Sequence, residues 1–338
     1  MLLKEQKIGM ILNMSVNPST LFRTRKILVS AVKPTGRSHI GNYFGAMKQF
    51  VELQDSYQSR IFVADFHALT TVQSRFELEG NTLGVIVDYL AIGLDPQKSL
   101  IYKQSDVPQV TELAWIFNCL TTMPYLMRAH AFKDAEAKNK EINVGVFDYP
   151  LLMAADILIQ DTDIVPVGLD QKQHVEIARD TAEKFNRTFG ETLKLPEPLI
   201  LDNVATVMGT DGRKMSKSYG NTIGLFATDE EIEKAVMSIV TDSSGELPGN
   251  VYAMHSLLKD KSYLDSLYEE KKGKYKELKE ALIADLKEFI TPMRERREAI
   301  LEDTNAVLDI LKEGGLAARE IAEENMNKIR GKVGLKIS

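Results

Sequence analysis

The stretch ILVSAVKPTGRSHIGNYFGAMKQFVEL, Ile27 to Leu53, decides the fold. Its opening residues, Ile27-Leu28-Val29, form a short apolar run that reads as a buried strand. Its closing part, Tyr43 to Leu53, spaces its apolar residues as a helix does. Between them, Pro34-Thr35-Gly36-Arg37-Ser38-His39-Ile40-Gly41-Asn42 lies where a strand turns into a helix. Backbone N–H groups and the positive helix end at such a junction favour an anion. His39 adds a donor there, and Gly41 lets a planar ring approach the backbone. Alone, a single His in a turn is more often structural than functional.

The alternation continues outward. Arg60 to Asp65 reads as a strand ending in a polar residue, and Ser99 to Tyr102 as another. Gly80 to Gly93 reads as a helix with Leu83, Val87, Leu90 and Ala91 on one face. Asp163 to Gly168 reads as a strand leading into a helix through Asp170-Gln171. Such strand–helix repetition predicts an α/β fold, a Rossmann-like doubly wound parallel sheet. Ligands of these sheets sit at the carboxyl ends of strands, where His39, Asp65, His67 and Gly168 to Gln171 all fall.

From about Ala227 the strands stop. Asp229 to Val240, Lys271 to Phe289, Met293 to Leu311 and Leu316 to Ile329 read as helices, with Pro292 marking a break or kink. Leu278, Leu282, Leu286 and Phe289 form an apolar stripe. The expected organisation is an N-terminal arm over 1–26, a Rossmann-like domain over 27–226 and an all-α domain over 227–338. The arm carries Lys4, Lys7, Arg23, Arg25 and Lys26 against one acid, Glu5. It reads as a flexible extension or a mis-set start, with Met10 and Met14 as other starts, ahead of a targeting segment.

A second stretch, Thr210 to Asn221, carries Lys214-Met215-Ser216-Lys217-Ser218. Two lysines three apart, with hydroxyl residues between and after them and glycines on both flanks, describe a mobile cationic loop. Such a loop can close over a polyphosphate. An isolated K-x-x-K is usually a solvated surface loop. Its pairing with the His39 segment in one α/β chain overrides that reading.

Bulk properties narrow the classes. The chain has 338 residues, 44% of them hydrophobic, enough for two modest cores. No apolar stretch reaches membrane-spanning length, so no membrane partner is expected. One cysteine, Cys119, excludes an internal disulfide framework and multi-cysteine metal sites, and suits a reducing, cytoplasmic setting. A net charge of -6 argues against a globally basic nucleic-acid binder, so RNA would be held by local patches.

The paired segments resemble the HIGH and KMSKS signatures of the class I aminoacyl-tRNA synthetases, with Asn42 in the fourth place of the first. DFHALT (Asp65 to Thr70), the block from Tyr149 to Asp180 and IVTDSSG (Ile239 to Gly245) narrow the likeness to the bacterial-type tryptophanyl-tRNA synthetases. The resemblance runs from about Ile27 to the C-terminus. It implies ATP-dependent activation of L-tryptophan to tryptophanyl-adenylate and transfer to tRNA(Trp) by a homodimer. It also implies ATP as cofactor, with Mg2+ held through the phosphates and no protein metal site.

Activation joins a carboxylate to the α-phosphate and expels pyrophosphate, so catalysis is mainly positioning and charge stabilisation. The resemblance assigns Lys214 and Lys217 to the leaving pyrophosphate, Ser216 and Ser218 to added hydroxyl donors, and His39 and Asn42 to phosphate oxygens from the other side. Lys33 is expected at the α-phosphate or the substrate carboxylate. Thr35, Gly41, Gly168 and Met215 complete the expected ATP set. Asp170 reads from the residues equally as a helix N-cap or a ribose acceptor. The resemblance favours the ribose, and it gives Gln171, Tyr149 and His67 contacts to the amino acid's polar end.

The indole offers one donor and no acceptor, so its pocket needs an acceptor in an apolar slot. Asp156, a carboxylate in the apolar run Leu152 to Leu158, is otherwise read as a helix-end or surface group. In the family the matching Asp accepts the indole N–H, and Met153, Val165 and Val167 match the apolar walls. Two positions depart from the family pattern. Ala31 stands where Gly is common, and Ala135 stands where one branch has an ATP-contacting Lys, leaving Lys133, Lys138 or Lys140 for that part.

The alternatives are a tyrosyl-tRNA synthetase and a non-catalytic synthetase-like nucleotide- or RNA-binding protein. The first strand has no Tyr to meet a phenol, and both loop lysines are intact, which disfavours each in turn. For tRNA, Lys271, Lys272, Lys274, Lys276, Lys279, Arg294, Arg296 and Arg297 read as a solvated face among glutamates, with anticodon contact as the functional reading.

Overall fold

The computed structural model describes residues 25–128, 132, 142–168, 172–200, 206–241 and 247–337. Its centre is a parallel sheet of β1 (Ile27–Val32), β2 (Gln58–Val63), β3 (Ser99–Lys103), β4 (Ile164–Val167) and β5 (Glu197–Ile200), in the order β3-β2-β1-β4-β5. The chain builds outward from β1 to β3, then returns to the other side of β1 for β4. That reversal places the topological switch point, and hence the ligand crevice, above the carboxyl ends of β1 and β4. The seam is loosely zipped there: β1 and β4 register at Leu28↔Ile164, whereas β1 and β2 register along all of Ile27 to Val32. Pro166 in β4 has no N–H to donate to a ladder.

Strand periodicity divides the core. Leu28, Ile61 and Ile101 point into one layer, Val29, Phe62 and Tyr102 into the other. The first layer is closed by the Arg75–Ala91 helix and by Leu282, Leu286 and Ile290 of the Tyr275–Leu301 helix. The second is closed by the Gln109–Leu120, Val144–Ile159 and Lys172–Phe189 helices and by the end of the last helix, Thr304–Val333.

Several elements differ from the sequence expectation. Pro292 does not break its helix, which runs unbroken over Tyr275–Leu301. Ile290 and Met293 on either side are buried, and this packing outweighs the lost backbone hydrogen bond. The break comes instead at Asp303, whose side chain caps Ala306 N–H at 3.1 Å. The gap expected around Gly314-Gly315 is absent too. A Cβ on Gly314 would lie 1.9 Å from the Ile101 carbonyl oxygen, and one on Gly315 2.9 Å from the Asp106 side chain. These glycines let the last helix cross β3 at backbone contact. The helix expected from Gly80 begins at Arg75, capped by Ser74. β5 carries no strand signal in the sequence, because Pro198, directly after Pro196 and Glu197, demotes the run as a strand. At the sheet edge a proline is tolerated.

Candidate active site

The loop after β1 ends in a helical segment of Ile40–Asn42, a π-turn over Tyr43–Met47 and Lys48–Leu53. His39 is its N-cap. Its Nδ1 accepts the Asn42 N–H at 3.2 Å, and the Asn42 side-chain oxygen accepts the His39 N–H at 3.1 Å. This reciprocal box satisfies two helix-end donors and assigns the neutral His39 tautomer with its proton on Nε2. Burial, reinforced by the Lys217 charge, lowers the His39 pKa to about 4. The ring is therefore neutral at pH 7, with an Nε2–H to offer. Gly41 is required beside it, since a Cβ there would lie 2.8 Å from His39 Nδ1 and 3.3 Å from Met215 Cβ.

The second loop docks on the first. His39 bridges antiparallel to Gly224, Ile40 N–H donates to the Ile223 carbonyl at 3.0 Å, and Leu225 N–H to the Ser38 carbonyl at 3.0 Å. Met215 is buried and anchors the loop in the core. Asn221 organises its backbone: its oxygen accepts Ser216 N–H at 2.8 Å, and its amide donates to Asp211 at 2.7 Å and to the Lys214 carbonyl. Ser216 and Ser218 hydroxyls pair at 2.9 Å. Lys217 Nζ reaches across to the carbonyls of Thr35 and Gly36, at 3.2 and 2.9 Å. Burial lowers its pKa. Two segments about 180 residues apart thus share one cationic surface beside a helix N-terminus.

A second group of predicted residues gathers under the second core layer. Asp156, 4% exposed, accepts from Gln104 Nε2 at 2.8 and 2.9 Å and pairs with His67 Nε2 at 2.9 Å. Burial raises its pKa, with His67 and Gln104 opposing. Val165 and Val167 face this layer, with Met153 and Ala31 partly buried against it. Tyr149 lies edge-on to His67 with centroids 6.0 Å apart, and its hydroxyl is 3.4 Å from His174 Nε2. Three acceptor positions of Asp156 are taken by protein, which leaves the carboxylate capacity for one further donor.

Other predicted residues are placed differently. Lys33 Nζ donates to Thr70 Oγ1 at 2.8 Å, on the His67 side of the crevice, and burial lowers its pKa. Gly168 closes β4. Asp170, Gln171, Lys133, Ala135, Lys138 and Lys140 lie outside the described residues, as does the arm through residue 24. In the basic cluster, Lys279 donates to the Met237 and Ile239 carbonyls, Arg294 to the Ala227 carbonyl and Asp229, and Arg297 to Asp88. Those three are intramolecular ties, not a free face. Lys271, Lys274 and Lys276 pair with Glu277 or Glu280. Sequence reasoning missed Gln104 and Asn221. A lone polar residue at a strand end and an Asn after a glycine carry no distinguishing pattern.

Among the described residues, no three His, Cys, Asp or Glu side chains are placed to hold a metal ion, and no helix is long and apolar enough to cross a membrane.

Comparison with known proteins identifies the family. The family profile "tRNA synthetases class I (W and Y)" matches residues 23–308. The tryptophan--tRNA ligase of Fusobacterium nucleatum is 48% identical over 316 residues, covering 91% of this chain and 97% of that relative. That of Rhodopirellula baltica is 43% identical, covering 91% and 99%. Among solved structures, tryptophanyl-tRNA synthetase from Campylobacter jejuni, complexed with ADP and tryptophan, superposes with a TM-score of 0.83 at 43% identity, covering 91% and 99%. The Mycoplasma pneumoniae enzyme gives a TM-score of 0.83 at 29% identity, covering 93% and 99%. With two converging signature loops, a Rossmann-like sheet and relatives matched along nearly their whole length, the chain belongs to the class I tRNA synthetases, in the tryptophan--tRNA ligase family.

Proposed function

We propose that the enzyme joins L-tryptophan to ATP as tryptophanyl-adenylate and passes the tryptophanyl group to tRNA(Trp). The single observation that carries this reading is Lys217 bridging to Thr35 and Gly36, beside a neutral His39 at a helix N-terminus. A triphosphate entering there meets a loop lysine on one side and a neutral Nε2–H donor with backbone N–H groups on the other. Lys217 would exchange its two carbonyl partners for phosphate oxygens, with Lys214, Ser216 and Ser218 on the same loop. Those groups stabilise the charge that builds as pyrophosphate leaves. Met215 and Gly41 set how closely the two loops approach. Magnesium would arrive on the phosphates, as hard cations of its size keep waters and bind substrate oxygens.

On the other side of β1, Asp156 is the proposed acceptor for the indole N–H, between Met153, Val165 and Val167. Its bonds to His67 and Gln104 lock the carboxylate rotamer. Lys33, Tyr149 and Gln171 are assigned to the substrate's polar end and Asp170 to the ribose, whereas His67, expected at that polar end, is bound through Nε2 to Asp156. The region from 227 onward would hold tRNA. Trp115, Met123 and Met127 are large apolar side chains left 71%, 67% and 47% exposed on consecutive segments. Such surfaces mark interfaces, which supports a homodimer. ATP, tRNA and a lone exposed cysteine fit a cytoplasmic enzyme.

ATP–pyrophosphate exchange with tryptophan and with tyrosine tests the reading. Exchange with tryptophan is expected. Exchange with tyrosine alone would reassign the substrate, and none with any amino acid would leave a binding protein.

A further inference from the structure

Asp88 is a buried charge outside the site described above. It lies on the Arg75–Ala91 helix and is 3% exposed. One carboxylate oxygen accepts the Ser38 hydroxyl at 2.6 Å, and the other accepts Arg297 Nε–H at 2.7 Å. Ser38 directly precedes His39, and its carbonyl is held by Leu225 N–H. Arg297 belongs to the Tyr275–Leu301 helix, and its guanidinium also lies over the Phe226 ring, 5.2 Å from the centroid. Burial raises the Asp88 pKa and lowers that of Lys217, and the attraction between the two opposes both shifts. One carboxylate therefore meets both the first signature segment and the helical region.

A buried charge is costly, and well-packed apolar groups usually serve a core as well or better. What an apolar replacement could not do is grip Ser38 and Arg297 at once. We propose that Asp88 is a positioning residue for adenylate formation. Through Ser38 it fixes the backbone at His39, and through Arg297 it ties that backbone to the helical region. The inference rests on the activation reading above. Arg297 bonds to Asp88 and not to the signature loops, yet its loss should slow the chemical step.

The test is ATP–pyrophosphate exchange on the full chain, with tryptophan affinity from equilibrium dialysis and thermal melts as a folding check. Asp88→Asn keeps the shape and removes the charge. It should lower kcat by about 10-fold or more while the tryptophan Kd stays within about twofold. Arg297→Met should lower kcat similarly, and Arg297→Lys should recover part of the loss. If Asp88→Asn does not fold, Ser38→Ala leaves the Asp88–Arg297 pair intact and should still cost about fivefold in kcat. Folded variants with kcat within about twofold of the unaltered chain, or with tryptophan affinity falling in step with kcat, would overturn the inference alone. An unaltered chain without exchange would overturn the functional reading and this inference together.

Discussion

Replacing Gly41 by Ala puts the convergence of the two loops to a direct test. The added methyl would lie 2.8 Å from His39 Nδ1, 3.0 Å from Cε1 and 3.3 Å from Met215 Cβ. Restoring ordinary contact requires the imidazole to retreat by about 0.6 Å in a close-packed site. The Asn42 N–H···Nδ1 bond, already 3.2 Å, then lengthens past useful range. Losing that cap costs about 1 kcal/mol, and the overpacking about 1–3 kcal/mol. Helix propensity returns up to about 1 kcal/mol, so the net is about 1–3 kcal/mol. For a chain of this size that lowers Tm by a few degrees. The activity effect is larger, because misplacing a positioned group by about 1 Å can cost about 10²-fold. The matched control is Gly84→Ala, mid-helix with nothing within 4 Å of the added Cβ. It should raise stability by about 0.5–1 kcal/mol and leave exchange unchanged. Melting curves and ATP–pyrophosphate exchange on both variants decide the matter. Gly41→Ala with kcat and kcat/KM for ATP equal to those of the control would refute the argument that His39 is held where the nucleotide needs it.

Lys217→Ala should slow exchange by about 10²–10³-fold with tryptophan affinity unchanged, as expected for a donor used mainly in the transition state. Steady-state kinetics with unaltered kcat would remove Lys217 from the chemistry. Asp156→Asn keeps the shape but weakens the acceptor, so selectivity for tryptophan over phenylalanine should fall, read from relative kcat/KM. Undiminished selectivity would mean the indole is read elsewhere. Gly314→Ala drives a methyl to 1.9 Å from the Ile101 carbonyl and should destabilise by about 3 kcal/mol or more, seen in urea melts. A shift under 1 kcal/mol would mean that the last helix does not touch β3. His39 should show no protonation from pH 8 down to pH 5.5 in imidazole NMR shifts, since its folded pKa is about 4. Its folded pKa lies below the unfolded one, so the unfolded state binds the extra proton first. The His39 contribution to stability is thus lost as pH falls from about 6.5 toward 4. A midpoint near 6.5 would contradict the burial.

The paired signature segments, the parallel α/β alternation and the loss of strands after Ala227 were legible in residue order, because backbone periodicity and loop chemistry are local properties. Other features depended on contacts across the chain. Asp156 reads from the residues alone as a helix-end or surface carboxylate until it is seen buried against His67 and Gln104. Pro292 reads as a helix break until Ile290 and Met293 are seen buried beside it. Gly314-Gly315 reads as a gap until β3 is seen crossing within a backbone radius. Arg294 and Arg297 read as one basic face with their neighbours, and folding spends both on Asp229, Ala227 and Asp88. Sequence by itself determined which groups can bear charge, bend or bury. Which of them face each other was decided by the tertiary structure, because a partner far along the chain leaves no periodic trace near the residue it satisfies.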